Sequence, residues 1–181
     1  MRDNQWPLHL QAAVRIAEQL HSELELALFL GDSEADNTLD ALGTFLQSAP
    51  IARVIIFREA EASVGTTSPD LMIQVRQVLG NILPGVPLVG GTNGNFAELN
   101  RQQPNVSVMD GVAYTINPQV HASDERSLIE AISAQRDTVS TTRSFCGDVP
   151  VIISSVTLKP PSTRLPPKKR PLPQLMNSRQ R

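Results

Sequence analysis

The sequence predicts an α/β protein of parallel βα units, on three observations. Five short apolar runs rich in β-branched residues recur between residues 23 and 156. Most are separated by segments whose apolar residues fall three and four apart, the spacing of helices that bury one face. The runs themselves lack polar alternation, as strands covered on both faces do.

In chain order, Leu8–Leu20 is expected as a helix with Leu10, Val14 and Ala17 on one face and Pro7 tolerated at its start. Glu23–Leu30 follows as a strand ended by Gly31. Asp36 or Asn37 is placed to cap a helix carrying Leu39, Leu42 and Leu46. Arg53–Phe57 is the second strand. Ser68-Pro69 pairs a capping residue with a proline at the first helical position, and the helix it opens aligns Leu71, Val75, Leu79 and Ile82 before Pro84-Gly85 stops it. Pro87–Gly91 and Val112–Ile116 are the third and fourth strands. Ser123 or Asp124 caps a helix with Leu128, Ile132 and Gln135 in register, and Val151–Val156 is the fifth strand. Thr92–Asp110 breaks the rhythm. It is polar, rich in Asn and Gln and only weakly periodic, the kind of irregular stretch at a strand end that carries function.

Two architectures accommodate such units. A doubly wound sheet has helices on both faces, whereas a (β/α)₈ barrel needs eight units and typically about 250 residues. Five units fit either a complete open sheet or part of a barrel, and the pattern leaves both open.

Charge divides the chain of 181 residues, whose formal net charge is only −2. Residues 1–158 hold all 18 acids and nine arginines, a balance of −9, and are read as one folded domain. Residues 159–181 hold seven bases, no acid and six of the 14 prolines, and are read as a basic, disordered tail with too little apolar surface to offset its ordering entropy. Lys168-Lys169-Arg170 is a short basic cluster, but the acidic domain repels phosphate, so no nucleic-acid partner is expected. No apolar run approaches the roughly 18 residues of a membrane span, and Met1–Pro7 lacks the apolar core of a secretory signal. Cys146 is the single cysteine, which excludes a disulfide framework and fits a reducing cytoplasm. Neither a GxGxxG fingerprint nor a GKS/T loop is present, so nucleotide binding is not indicated.

Three segments stand out: Gly90-Gly91-Thr92-Asn93-Gly94-Asn95-Phe96-Ala97-Glu98-Leu99-Asn100-Arg101, Ile116-Asn117-Pro118-Gln119-Val120-His121-Ala122 and Ser155-Val156-Thr157-Leu158-Lys159. In this order and spacing they resemble the barrel domain of the bacterial D-apionate lactonase family, over most of residues 8–159. The resemblance implies a glycosidase-like TIM barrel, present here as a part of about five strands. It also implies hydrolysis of the lactone of a branched-chain sugar acid, D-apionolactone to D-apionate, in carbohydrate catabolism. Family members are several times longer, and here no strand precedes the first helix. After Lys159 the family pattern is expected to continue as Arg-Phe-Asn-Pro-x-Ala-Thr, yet the chain reads Pro160-Pro161-Ser162-Thr163-Arg164-Leu165-Pro166. A shifted reading of the Pro161–Pro167 codons is able to encode Phe-Asn-Pro-Phe-Ala-Thr, so the tail is read as a frameshift product. Sequencing the gene tests this: the other frame is expected to spell that motif, and its absence there rules the reading out.

In parallel α/β folds the C-terminal strand ends carry the site. Lactone hydrolysis needs a base for the attacking water, donors for the oxyanion and an acid for the leaving ring oxygen. Glu98 is the first candidate for acid or base, and His121, which titrates near neutrality when unperturbed, is the second. Asn93, Asn95, Asn100, Asn117 and Gln119 are candidates for contacting substrate, because an amide both donates to and accepts from sugar hydroxyls. The alternative for these amides is turn formation. Asp32, Glu59 and Asp110 are weak options for the second carboxylate of a glycosidase-type pair. Glu98 and His121 fall short of the three protein ligands of a catalytic zinc, so no metal and no cofactor is expected. The expected partner is a small sugar-acid lactone, and exposed sheet edges give a route to self-association.

Overall fold

The computed structural model describes residues 5–31, 35–61, 65–119 and 124–158. The tail at 159–181, His121, Asp32, Glu34 and the alternative cap Ser123 lie outside the described residues.

The elements run α1 (Trp6–Gln19), β1 (Leu24–Leu30), α2 (Ala35–Leu46), β2 (Ile51–Arg58), a 3₁₀ turn (Glu59–Glu61), α3 (Pro69–Ile82), β3 (Leu88–Asn95), α4 (Phe96–Gln102), β4 (Gly111–Ile116), α5 (Glu125–Cys146) and β5 (Val151–Val156). The local signals act as their chemistry requires. Ser68 caps α3, its hydroxyl accepting from the Leu71 N–H at 3.4 Å with Pro69 behind it. Asp124 caps α5 by accepting from the Ser127 N–H at 3.0 Å. That bond holds the Asp124 carboxyl below its ordinary range.

The five strands are all parallel and lie in the order β1-β2-β3-β4-β5. This order decides between the two architectures. A doubly wound sheet reverses direction part-way across, whereas here each crossover steps to the next strand. Successive right-handed crossovers of that kind keep every helix on one face. The sheet therefore curls into a half-barrel, with α2 beside α3 and α4 beside α5 on its convex side.

Alternation sorts the strand residues. Leu28 and Leu30 of β1, Val54 and Ile56 of β2 and Leu88 of β3 face the helices, where Leu39, Leu42, Leu46, Leu71, Met72, Val75 and Leu79 meet them. Val112 and Tyr114 of β4 meet Leu99 of α4 and Cys146 of α5. On the concave side Ile55, Phe57, Val89, Ala113 and Ile152 form a smaller cluster. The register threads this inner row across the sheet: Ala27 beside Ile55, Ile55 beside Val89, and Ala113 beside Ile152. Low on the same side Glu25 pairs with Arg53 at 3.6 Å, and the Ser154 hydroxyl of β5 donates to the Glu25 carboxylate of β1. The two outermost strands thus meet through their inner side chains, as opposite strands of a closed barrel do. Among the described residues the largest outer cluster holds 15 buried residues and the inner one five. At roughly 1.5–3 kcal/mol for each large side chain fully buried, the helix-covered side supplies most of the apolar driving force.

Three expectations are corrected. The third strand does not stop at Gly91 but continues to Asn95, and α4 follows at once, so Thr92–Asp110 is less irregular than its composition suggests. Asp36 and Asn37 lie within the first turn of α2, which starts at Ala35, rather than before it. Ile132 is 67% exposed, because the buried stripe of α5 runs through Thr142 and Cys146 beside half-buried Leu128, Ala131, Gln135 and Thr138. Leu128 and Gln135 lie on this stripe as expected, and Ile132 falls outside it because a small and polar stripe carries little hydropathy signal.

Gly91 has a φ of +131°, and a Cβ there would stand 2.0 Å from the Ala113 carbonyl oxygen. Gly91→Ala is expected to cost about 3 kcal/mol, combining backbone strain with a clash against rigid main chain. Gly85→Ala, at φ +83° with open space around it, is expected to cost about 1 kcal/mol. Urea unfolding of the two variants checks the difference. Among the described strands, β1 and β5 each pair on one side only. We expect the 181-residue chain by itself to associate through these edges. Light scattering after size exclusion reads this, and a monomer with a sharp cooperative melt contradicts it.

Candidate functional site

The strands' C-terminal ends form a rim at which β3 is the irregular member. Gly91 lies beside Ala113 and Asn95 beside Thr115, so β3 advances four residues while β4 advances two. A bulge of this kind re-aims side chains where a strand ends. The Thr92 hydroxyl stabilises it by accepting from the Gly94 N–H at 3.0 Å, and the Thr115 hydroxyl donates to the Gly94 carbonyl at 3.0 Å. The glycine-rich stretch is therefore a built bulge.

Thr67 secures the other side of this segment. Its N–H donates to the Gly91 carbonyl at 2.8 Å, its hydroxyl donates to the Ile56 carbonyl at 2.5 Å, and the Gly91 N–H donates to that hydroxyl at 3.1 Å. The direct β2–β3 register ends at Ile55 and Val89, so Thr67 fills the place where the two strands part. Nothing in the sequence distinguishes Thr67 from a loop residue beside the Ser68 cap. Next to it, Gln102 at the end of α4 accepts from the Thr66 N–H at 3.1 Å and the Thr66 hydroxyl at 3.2 Å, tying α4 to the loop before α3.

The expected site residues separate into groups. Asn95 and Asn117 share one open cavity of about 210 Å³, whose other walls are Phe96, Ala97, Thr115, Ile116, Gln135 and Thr138. The Asn95 carbonyl oxygen accepts from the Thr115 hydroxyl at 3.4 Å. Asn117 is 9% exposed, and its carbonyl oxygen accepts from the Gln119 N–H at 2.9 Å. Asn117 and Gln119 thus form an Asx turn, and what Asn117 can offer a ligand is its N–H donors. Asn93 is half-buried on the bulge, and Asn100 is half-buried on α4. Neither lines the cavity.

Glu98 occupies the first turn of α4, next to Leu99, which is buried against β4. Its carboxylate is 24% exposed and faces Arg101 at 3.7 Å, a surface pair of small energetic weight. It stands outside the cavity that holds Asn95 and Asn117. Of the candidate second carboxylates, Asp110 lies at the opposite end of the strands. It accepts from the Leu88 N–H at 2.8 Å and pairs with Arg76 at 2.9 Å, joining the entries to β3 and β4. Glu59 begins the 3₁₀ turn after β2, at the rim, with its Oε2 close to Gly31.

Gln135 and Thr138 reach the cavity from α5, a helix that a search of strand ends passes over. The Thr138 hydroxyl bonds the Tyr114 hydroxyl at 2.7 Å. Burial pushes the Tyr114 phenol up, so this link stays protonated and neutral. Cys146 closes α5 in the core, and burial pushes its thiol up, away from the reactive thiolate. The larger hollows lie elsewhere, one of about 310 Å³ between α1 and α2 and one of about 490 Å³ beside Asp110, away from the strand ends where parallel folds keep their chemistry.

A half-barrel with a polar rim at its C-terminal strand ends is the geometry on which comparison with known proteins bears. The family described as D-apionate lactonase, TIM barrel domain, matches residues 1–180. The chain belongs to this family. A D-apionate lactonase of Brucella anthropi is 33% identical over 75 residues, a stretch covering 41% of this chain and 12% of that enzyme. The aligned stretch is thus a small part of the relative's length. Family membership accounts for the sequential parallel order, since the described strands are then consecutive members of one barrel wall. Among the described residues no helix is long and apolar enough to cross a membrane.

Proposed function

We propose that the chain is part of a lactonase-type hydrolase acting on the lactone of a branched-chain sugar acid, with D-apionolactone as substrate and D-apionate as product. The observation that carries the reading is the family match over residues 1–180, joined to a rim of neutral hydrogen-bonding side chains at the strand ends. In this scheme water attacks the lactone carbonyl, the ring C–O bond breaks, and the alkoxide takes a proton. Glu98 and His121 are the proposed acid and base. Asn93, Asn95, Asn100, Asn117 and Gln119 are the proposed contacts to the oxyanion and the hydroxyls. The proposed setting is carbohydrate catabolism in the cytoplasm, and the free thiol of Cys146 is compatible with that reducing compartment.

A second reading is favoured by one specific observation. Among the described residues that line it, the cavity around Asn95 and Asn117 has no acid, base or cation. Such a lining recognises a polyol without transferring a proton, as a sugar-acid-binding domain or an inactive remnant of a hydrolase would.

Acid release from D-apionolactone by the full 181-residue chain separates the readings. Turnover is expected, and Glu98→Gln is expected to reduce it about 10²- to 10⁴-fold, the span of one acid–base group. Its surface pair with Arg101 contributes little to stability, so the variant is expected to melt with the wild type. Unchanged turnover in Glu98→Gln removes Glu98 from the mechanism. Binding without turnover in the wild type favours the second reading.

A further inference from the structure

Among the described residues, the buried side-chain oxygen left without a hydrogen-bond partner is Thr157 Oγ1. A buried hydroxyl with nothing to bond is costly, and in a native fold it asks for an explanation. Its position supplies one. The Thr157 N–H donates to the Ile116 carbonyl at 3.0 Å, continuing the pairing of Ile116 with Val156 by one step. Thr157 therefore follows β5 as Asn117 follows β4, and the two residues stand side by side at the rim. Asn95 lies beside Thr115 one strand further on. Three consecutive strand ends thus present a row of four neutral groups, Asn95, Thr115, Asn117 and Thr157. Asn95, Thr115 and Asn117 already have partners through their side-chain oxygens.

We infer that Thr157 is a specificity-determining contact, its hydroxyl held for a hydroxyl group of a small, neutral, polyhydroxylated lactone. The inference rests on the reading of this rim as the substrate site and extends it to a named group. Thr157 as a whole is half-exposed although its oxygen is covered. A 120° step between staggered χ1 rotamers moves the hydroxyl into the place of the methyl group or of the β hydrogen, so the oxygen is redirected without backbone movement. A hydroxyl both donates and accepts, which suits a ligand hydroxyl of either polarity.

The test compares D-apionolactone with γ-butyrolactone, the bare lactone ring, by NMR titration of the full 181-residue chain and of its Thr157→Val and Thr157→Ser variants. Thr157→Val is expected to weaken D-apionolactone about five- to tenfold, the worth of one hydrogen bond, and to leave γ-butyrolactone as in the wild type. Thr157→Ser is expected to bind D-apionolactone as the wild type does. Without ligand, Thr157→Val is expected to melt at or above the wild-type temperature, because it removes an unpaired polar atom. Equal effects on both lactones, no effect on either, or a lowered melting temperature overturns the inference. Where the wild type prefers D-apionolactone and Thr157→Val keeps that preference, the assignment of Thr157 fails and the site reading stands. A wild type that binds neither lactone overturns both.

Discussion

The close approach of Gly91 to the main chain of Ala113 is the constraint on which the rim depends. A strand in ordinary extended geometry would keep step with β4 and carry residues 92–95 straight past Thr115. The left-handed turn of the backbone at Gly91 lets β3 fall out of step, so that Asn95 comes level with Thr115 after two extra residues. The backbone then enters α4 directly, which fixes where Phe96 and Ala97 wall the cavity and where Glu98 points. The conformation is held from both sides, by Thr67 across the β2 gap and by the Thr92 and Thr115 hydroxyls on the bulge itself. None of these groups is charged, and the Thr67 and Thr115 hydroxyls are shielded from water, where hydrogen bonds are least diluted by competition.

How much of this was legible in the sequence follows the physics of each signal. The apolar runs at 51–58 and 111–116 are strands largely covered on both faces, and hydropathy reads that directly, whereas β1 and β5 leave part of one face exposed and are read from the apolar residues they bury. Ser68-Pro69 and Asp124 were legible because capping is local chemistry. The end of β3 was not, because Thr92-Asn93-Gly94-Asn95 has the composition of a loop and is extended only through its pairing with Thr115. The face of α5 was legible only in part, since Leu128 and Gln135 lie on its contact stripe and Ile132 does not, because the stripe runs on through Thr138 and Thr142, which bond carbonyls one turn back while packing on the sheet. Strand-end reasoning named Asn95 and Asn117, which line the cavity at the rim. It passed over Thr67, Gln135 and Thr138, whose placement arises from the tertiary fold.

The choice between an open sheet and a barrel wall shows what motifs add to pattern. Periodicity counts units but does not order them, and five βα units serve either architecture. Strand order is a property of the crossovers, and the sequential order found here follows from one handed step repeated without reversal. The resemblance carried by residues 90–101, 116–122 and 155–159 pointed to the barrel. The contact between Ser154 of β5 and Glu25 of β1 is the physical counterpart of that resemblance, since side chains of outer strands meet across the concavity only when the sheet curls strongly.

The two ends of the strands have different chemistry, and the difference bears on how a wall of this barrel works. At the entry to β3 and β4, Asp110 and Arg76 form a charged clasp whose geometry is shared with backbone groups, Leu88 N–H and Val108 carbonyl, so the charges are used in joining loops. Low on the concave side, Glu25 is paired with Arg53 and accepts from the Ser154 hydroxyl. At the exit, by contrast, the cavity is lined by amides, hydroxyls and the apolar surfaces of Phe96 and Ile116. Amides and hydroxyls in such a setting recognise shape and hydroxyl pattern, whereas proton transfer requires a group with a titration near the working pH. The described rim therefore has the character of a recognition surface. Glu98, proposed as the acid or base, stands outside this lining in the first turn of α4.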